Sequence, residues 1–244
     1  MTSVFLISDL KTGSHKTGLW KAEWKITGKD LDIIDLSHNI SPNNTIEASF
    51  VAEHLRHSAI KGYILHARVG HTSHSVLYQH LDNVFIFPNN GLIGMLFQQI
   101  EKQNCYLVPK EREIVLALEL QAGKLSGEYR VGENLVIRYR KQAQLNENIA
   151  VAECIFIDTF GNCYFNIKKE EFDSFSLQKK FKIQIQHYRG EVFRKIFKSI
   201  EEVSEGDAFF SFNSIGYLKL QISMGNAATL FRIREDSKII IEIE

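Results

Sequence analysis

Apolar residues in the first part of the chain gather in short runs separated by helical spacing, whereas those in the last part alternate with polar residues. Val4 to Ser8, Asp32 to Leu36, Tyr63 to Leu65, Val84 to Phe87 and Tyr106 to Val108 read as strands. The unbroken runs among them are those of strands buried on both faces. Between them, Thr45 to Arg56 carries Ala, Phe and Leu on one helical face, and Pro88-Asn89-Asn90-Gly91 opens a helix running to about Ile100. Lys110 to Glu113 precedes a further helical run to Leu120. Strand and helix in alternation predict an α/β N-terminal domain with a mostly parallel sheet. Asp9 falls at the carboxyl end of the first strand, the edge at which open α/β sheets place their ligands.

Residues 123–148 are rich in Gly, Lys, Arg, Gln and Asn, with one short strand around Leu135 to Ile137, and read as a connection. From Ala150 onward the signal becomes short alternating runs: Ala152 to Ile157, Phe181 to His187, Ala208 to Phe212, Tyr217 to Ser223 and Ile239 to Ile243. These predict an all-β C-terminal domain, a barrel or a sandwich. The expected division is 1–147, with the connection, and 148–244. Inside the second part, Ile155 to Ile167 reads as a hairpin whose polar centre, Asp158 to Asn162, turns at Gly161. A carboxylate, an aromatic face and an amide meet at that bend, a set able to hold an amino acid head group or a base.

Composition narrows the partners. Twenty-nine basic residues balance twenty-nine acidic ones, so no net field draws the chain to nucleic acid or to an anionic membrane. The apolar run at Val4 to Ile7 ends at Asp9, short of a signal-peptide core, and no stretch reaches membrane-spanning length, so a cytoplasmic protein is expected. Cys105, Cys154 and Cys163 are odd in number and form no CxxC pair, which indicates free buried thiols rather than a disulfide framework or a thiolate zinc site.

The hairpin centre resembles the signature of the C-terminal domain of the S-adenosylmethionine hydroxide adenosyltransferase family, relatives of the fluorinating and chlorinating enzymes: Asp158, Phe160, Gly161, Asn162 and Asn166 stand where that family has Asp, Phe, Gly, Asn and Asn. Ile34-Asp35-Leu36-Ser37-His38 with Pro42, the run at Pro88 to Ile93, Asn213 to Leu218 and Met224 to Ala228 match further blocks in the same order. The resemblance implies that Asp9 grips the ribose and that Phe160 stacks on adenine. It implies that Asp158, Asn162 and Ser214 hold the amino acid portion while Asn226, Ala227 and Ala228 line the adenine edge. It also implies a homotrimer, with ligand sites where one subunit's N-terminal domain meets its neighbour's C-terminal domain, and no cofactor.

The family's catalytic trio of Asp, Arg and His is not matched as such. By the same resemblance His66 takes the Asp position, Ser73 or His74 the Arg position and Lys110 the His position, while Asn89 replaces a carboxylate. His38, beside a strand end, is read as a structural hydrogen-bonder. Two functions of different class follow: a divergent S-adenosylmethionine hydrolase whose remodelled water site uses His66 and Lys110, or a non-catalytic protein of the same fold that binds an adenosyl ligand or serves in assembly. His66, His71 and His74 also suggest a metal-dependent hydrolase, but their spacing fits no established ligand motif and no metal is expected.

Overall fold

A computed structural model describes residues 2–177, 179–188 and 190–244. The chain divides into two compact units, the first ending at Arg140 and the second running from Lys141 to Glu244.

The first unit is α/β. Its strands are β1 (Thr2–Ser8), β2 (Leu31–Ser37), β3 (Ile64–Arg68), β4 (His74–His80), β5 (Asn83–Pro88) and β6 (Cys105–Pro109), in the sheet order β2-β1-β3-β5-β4-β6. β2, β1, β3 and β5 pair in parallel, and β4 runs antiparallel to β5 and β6. Helices α1 (His15–Thr27), α2 (Thr45–Arg56), α3 (Leu92–Leu96) and α4 (Glu113–Gln121) complete it. Alternate residues of each strand face opposite ways, so the sheet feeds two cores. Phe5, Ile7, Leu65 and Ala67 pack with Ala48, Leu92 and Ile93 of α2 and α3, whereas Val4, Leu6 and Ile64 pack with Trp20, Trp24, Leu116 and Ala117 of α1 and α4.

Three features depart from the sequence reading. β4 is a strand beyond those expected; Val76, Leu77 and Tyr78 are buried, on both faces of the sheet, but their apolar run is only three residues long between polar neighbours. α3 stops at Leu96 because Phe97 is already extended. Leu135 to Ile137 supplies an isolated bridge between Ile137 and Gly91 and no strand.

The second unit is built on one antiparallel sheet curled into a half-barrel. Strands β7 (Gln144–Leu145), β8 (Ile149–Ile157), β9 (Cys163–Lys168), β10 (Phe181–Ile185), β11 (Ala208–Phe212), β12 (Tyr217–Ile222) and β13 (Lys238–Ile243) give the order β10-β13-β8-β9-β12-β11, with β7 also on β8. Phe165, Phe210, Phe231, Ile239 and Ile241 form its core. Among the described residues two α-helices interrupt the strands, α5 (Lys169–Ser176) and α6 (Ala227–Leu230). α5 buries Phe172 in the core, so an all-β description holds for the sheet and not for every element.

Candidate active site

The chain leaves β1 for β2 on one side and returns to β3 on the other, so the carboxyl ends of β1 and β3 flank a topological switch point. A cavity of about 480 Å³ opens there, lined by Asp9 just beyond β1, by Trp20 and Glu23 of α1, by Arg68 at the end of β3, and by Asn43 and Lys110. Asp9 is held by the backbone. Its Oδ2 accepts the N–H groups of Asn43 and Gly70, each at 3.0 Å. Both donors sit in the left-handed region, φ 60° and 78°, which asparagine and glycine tolerate and which turns their amides toward the carboxylate. Oδ1 makes no hydrogen bond among the described residues.

Beneath the cavity lies a buried polar network. His66 is fully buried, because on β3 it shares the face of Ile64 and points between α1 and α4. Its Nδ1 accepts the indole N–H of Trp20 at 3.3 Å and of Trp24 at 3.2 Å, and its Nε2 lies 3.1 Å from Glu113 Oε1. Burial disfavours the imidazolium while Glu113 favours it, and the net direction is a lowered pKa. The indoles decide the tautomer: an Nδ1 that accepts carries no proton, so His66 is neutral with its hydrogen on Nε2 facing Glu113. Burial alone would raise the Glu113 carboxyl, but the N–H of His66, the Arg68 guanidinium and the Ser75 hydroxyl outweigh it and hold it below the usual carboxylate range. Arg68 donates through Nε and Nη2 to Glu113 Oε1, at 3.0 and 2.8 Å, and through Nη2 to Glu23 Oε2 at 3.1 Å. Its guanidinium lies 4.8 Å from the centre of the Trp20 ring. Ser75 closes the network with a hydrogen bond to Glu113 Oε2.

The expected water-activating pair is therefore divided. Lys110 lines the cavity, but His66 lies in the core below it with its one lone pair engaged by two indoles. Two residues further along the same strand face, at the open end of β3, the side chain that reaches the cavity is Arg68. His71 also lines the cavity, while His74 is exposed with Nδ1 3.0 Å from Ser73 Oγ. Among the described residues no three His, Cys, Asp or Glu side chains are grouped as a metal ion would need. His38 is buried between Ser8 Oγ, 2.8 Å from Nδ1, and Asp35 Oδ1, 3.0 Å from Nε2, and Ser8 is fully buried as well, so this Ser-His-Asp line braces the end of β1. Asn89 ties down the chain beyond it, donating to Asn134 O at 2.9 Å and accepting from Val136 N at 2.9 Å.

In the second unit the bend between β8 and β9 is closed on itself. Asp158 Oδ1 accepts from the backbone of Phe160 and Asn162, at 3.0 and 2.9 Å, and Oδ2 from Asn162 Nδ2 and Tyr164 Oη, at 2.8 and 3.0 Å. Four donors fill the acceptor sites of a carboxylate, so Asp158 serves the bend before any ligand. Phe160 is left 75% exposed at its tip. The start of α6 and its cap dock on this bend: Ala228 donates to Gly161 O at 2.9 Å, and a Cβ on Gly161 would lie 2.2 Å from the Asn226 side chain. Asn226 in turn caps α6 through Thr229 N. The structure thus brings Asp158, Phe160, Asn162, Asn226, Ala227 and Ala228 together. Ser214 is not among them. It is exposed on the turn between β11 and β12, and the pairing of Tyr217 with Lys168 puts that turn at the opposite end of β9.

Models of the SAM hydroxide adenosyltransferase N-terminal and C-terminal domains match residues 4–122 and 152–240. The chain belongs to the SAM hydroxide adenosyltransferase family. It is similar to the (R)-S-adenosyl-L-methionine hydrolase of Methanocaldococcus jannaschii, 25% identical over 94% of this chain and 92% of that protein. Two solved structures share the fold: an uncharacterized conserved protein from Thermotoga maritima, TM-score 0.79 at 21% identity over 98% of this chain and 99% of its own, and a conserved hypothetical protein from Thermus thermophilus, TM-score 0.75 at 19% identity over the whole of both chains. As a member of a family that uses S-adenosylmethionine, the chain has a small-molecule substrate, and no helix among the described residues is long and apolar enough to cross a membrane.

Sequence reasoning passed over Trp20, Glu23 and Arg68. A signal was present for the first two: Glu23 follows Trp20 by three residues, so the carboxylate and that indole are neighbours on the helix surface. Arg68 lies among the histidines between His66 and His74, and its reach into the cavity depends on β3 ending there.

Proposed function

We propose that this chain hydrolyses S-adenosylmethionine to adenosine and methionine in the cytoplasm. Asp9 carries the reading. One of its carboxylate oxygens is fixed by two backbone amides and the other is without a protein partner among the described residues, at a cavity on the switch point of the unit that matches the family's N-terminal domain. A carboxylate so oriented accepts hydrogen bonds from a ribose diol without reorganising. The leaving group is a sulfonium, so the reaction needs chiefly a fixed approach line for water and a site closed to other nucleophiles. Phe160 is free to stack on the adenine, with Asn226 to Ala228 at the base edge, and the assembly is a homotrimer.

Burial of His66 favours a second reading, an adenosyl-ligand binder without turnover, since the imidazole expected to activate water is withdrawn from it. Incubation of the pure protein with S-adenosylmethionine, followed by chromatography, separates the two. Hydrolysis yields adenosine and methionine in equal amounts; a binder gives calorimetric heat with adenosine and no product.

A further inference from the structure

We propose that the attacking water is held between Glu23 and Arg68 and gives its proton to Glu23. This rests on the hydrolase reading and names the water site within it. Of the carboxylates lining the cavity, Asp9 is anchored by two amides and assigned to the ribose, which leaves Glu23 on α1. Glu23 Oε2 accepts from Arg68 Nη2 at 3.1 Å, and Oε1 makes no hydrogen bond among the described residues. Arg68 is clamped by two bonds to Glu113 and by the face of Trp20, and its Nη1 makes no hydrogen bond among the described residues. A water donating to Glu23 Oε1 and accepting from Arg68 Nη1 has both its orientation and its proton acceptor supplied by groups already fixed.

In the step itself the water oxygen forms a bond to the 5′ carbon as the bond from that carbon to sulfur breaks. The electron pair stays on sulfur, which leaves as the neutral thioether of methionine. The proton passes from the water oxygen to the Glu23 carboxylate and then to solvent, to which this half-exposed side chain has access. Glu113 acts as a positioning residue, since it touches Arg68 and lies beneath the cavity. His66 and Ser75 hold Glu113 in turn, so the imidazole acts on the water only at third hand.

The test compares the full-length wild type with Glu23→Gln and Glu23→Ala, measuring adenosine formation at saturating S-adenosylmethionine and adenosine affinity by calorimetry. Glu23 is exposed, so both variants are expected to keep the wild-type melting temperature. The expected result is a loss in kcat on the order of 10²-fold or more for Glu23→Gln with adenosine affinity unchanged, and partial recovery of the Glu23→Ala rate by added formate. A Glu23→Gln rate equal to wild type overturns the assignment, as does an equal loss of adenosine affinity or a Glu23→Ala enzyme that formate does not restore. A wild type that binds adenosine but forms none from S-adenosylmethionine overturns the hydrolase reading and this inference with it, and that outcome is visible before any variant is made.

Discussion

At the scale of single residues, His66 and Asp158 are held by partners that leave them little to offer a ligand. Replacing His66 by Ala strips a hydrogen-bond acceptor from two indoles and a partner from a buried carboxylate, and the expected cost is about 3–5 kcal/mol in chemical denaturation. The pH dependence has one sign. The Glu113 carboxyl is held below its ordinary 4.5 in the folded chain, so the stability it contributes is present above about pH 4.5 and is lost as pH falls below that. The His66 pKa is lowered from 6.5, so the unfolded chain takes up a proton first and stability drops as pH falls below about 6.5. Denaturation midpoints are therefore expected to hold from pH 8 to about pH 6.5 and to decrease from there to pH 3, and Glu113→Gln is expected to flatten the lower limb. Asp158→Ala is expected to weaken S-adenosylmethionine and adenosine by the same factor in calorimetry, because the loss is that of the bend; a selective loss for S-adenosylmethionine would mean that its ammonium displaces one of the four donors. Asp9→Ala is expected to cost adenosine about 10- to 100-fold in affinity, the worth of charge-assisted hydrogen bonds to a diol.

At the scale of elements, the bend at 158–162 and the capped start of α6 act as one piece. Gly161→Ala places a Cβ at positive φ and against Asn226, so the second unit is expected to lose at least about 1–3 kcal/mol and adenosine affinity with it. Thermal melting beside calorimetry checks both. Helix α2 was legible to the residue, since Asn44 caps it through Glu47 N and its apolar face is unbroken. The first strand and Asp9 at its end were legible for a similar reason, the abrupt change from apolar to acidic. β4 was not, because its apolar run is only Val76 to Tyr78, set between polar residues that include His74 and His80. The placing of His66 depended on where β3 ends. One-dimensional spacing leaves that open, since residues 66 and 68 share a face and only strand length decides which of them reaches the cavity.

At the scale of the whole molecule, the proposed homotrimer is checked by sedimentation: a trimer at micromolar protein is expected, and a stable monomer would remove the assembly from the account. Family membership covers both units, but the reaction rests on what enters at the 5′ carbon. Tracing oxygen tests that most directly. Pure protein is incubated with S-adenosylmethionine in water enriched in the heavy oxygen isotope, and the products are weighed by mass spectrometry. Adenosine carrying the heavy isotope in its 5′ hydroxyl, with unlabelled methionine beside it, is the predicted result; adenosine without the label, or no adenosine from a protein that binds it, would contradict attack by water in this site.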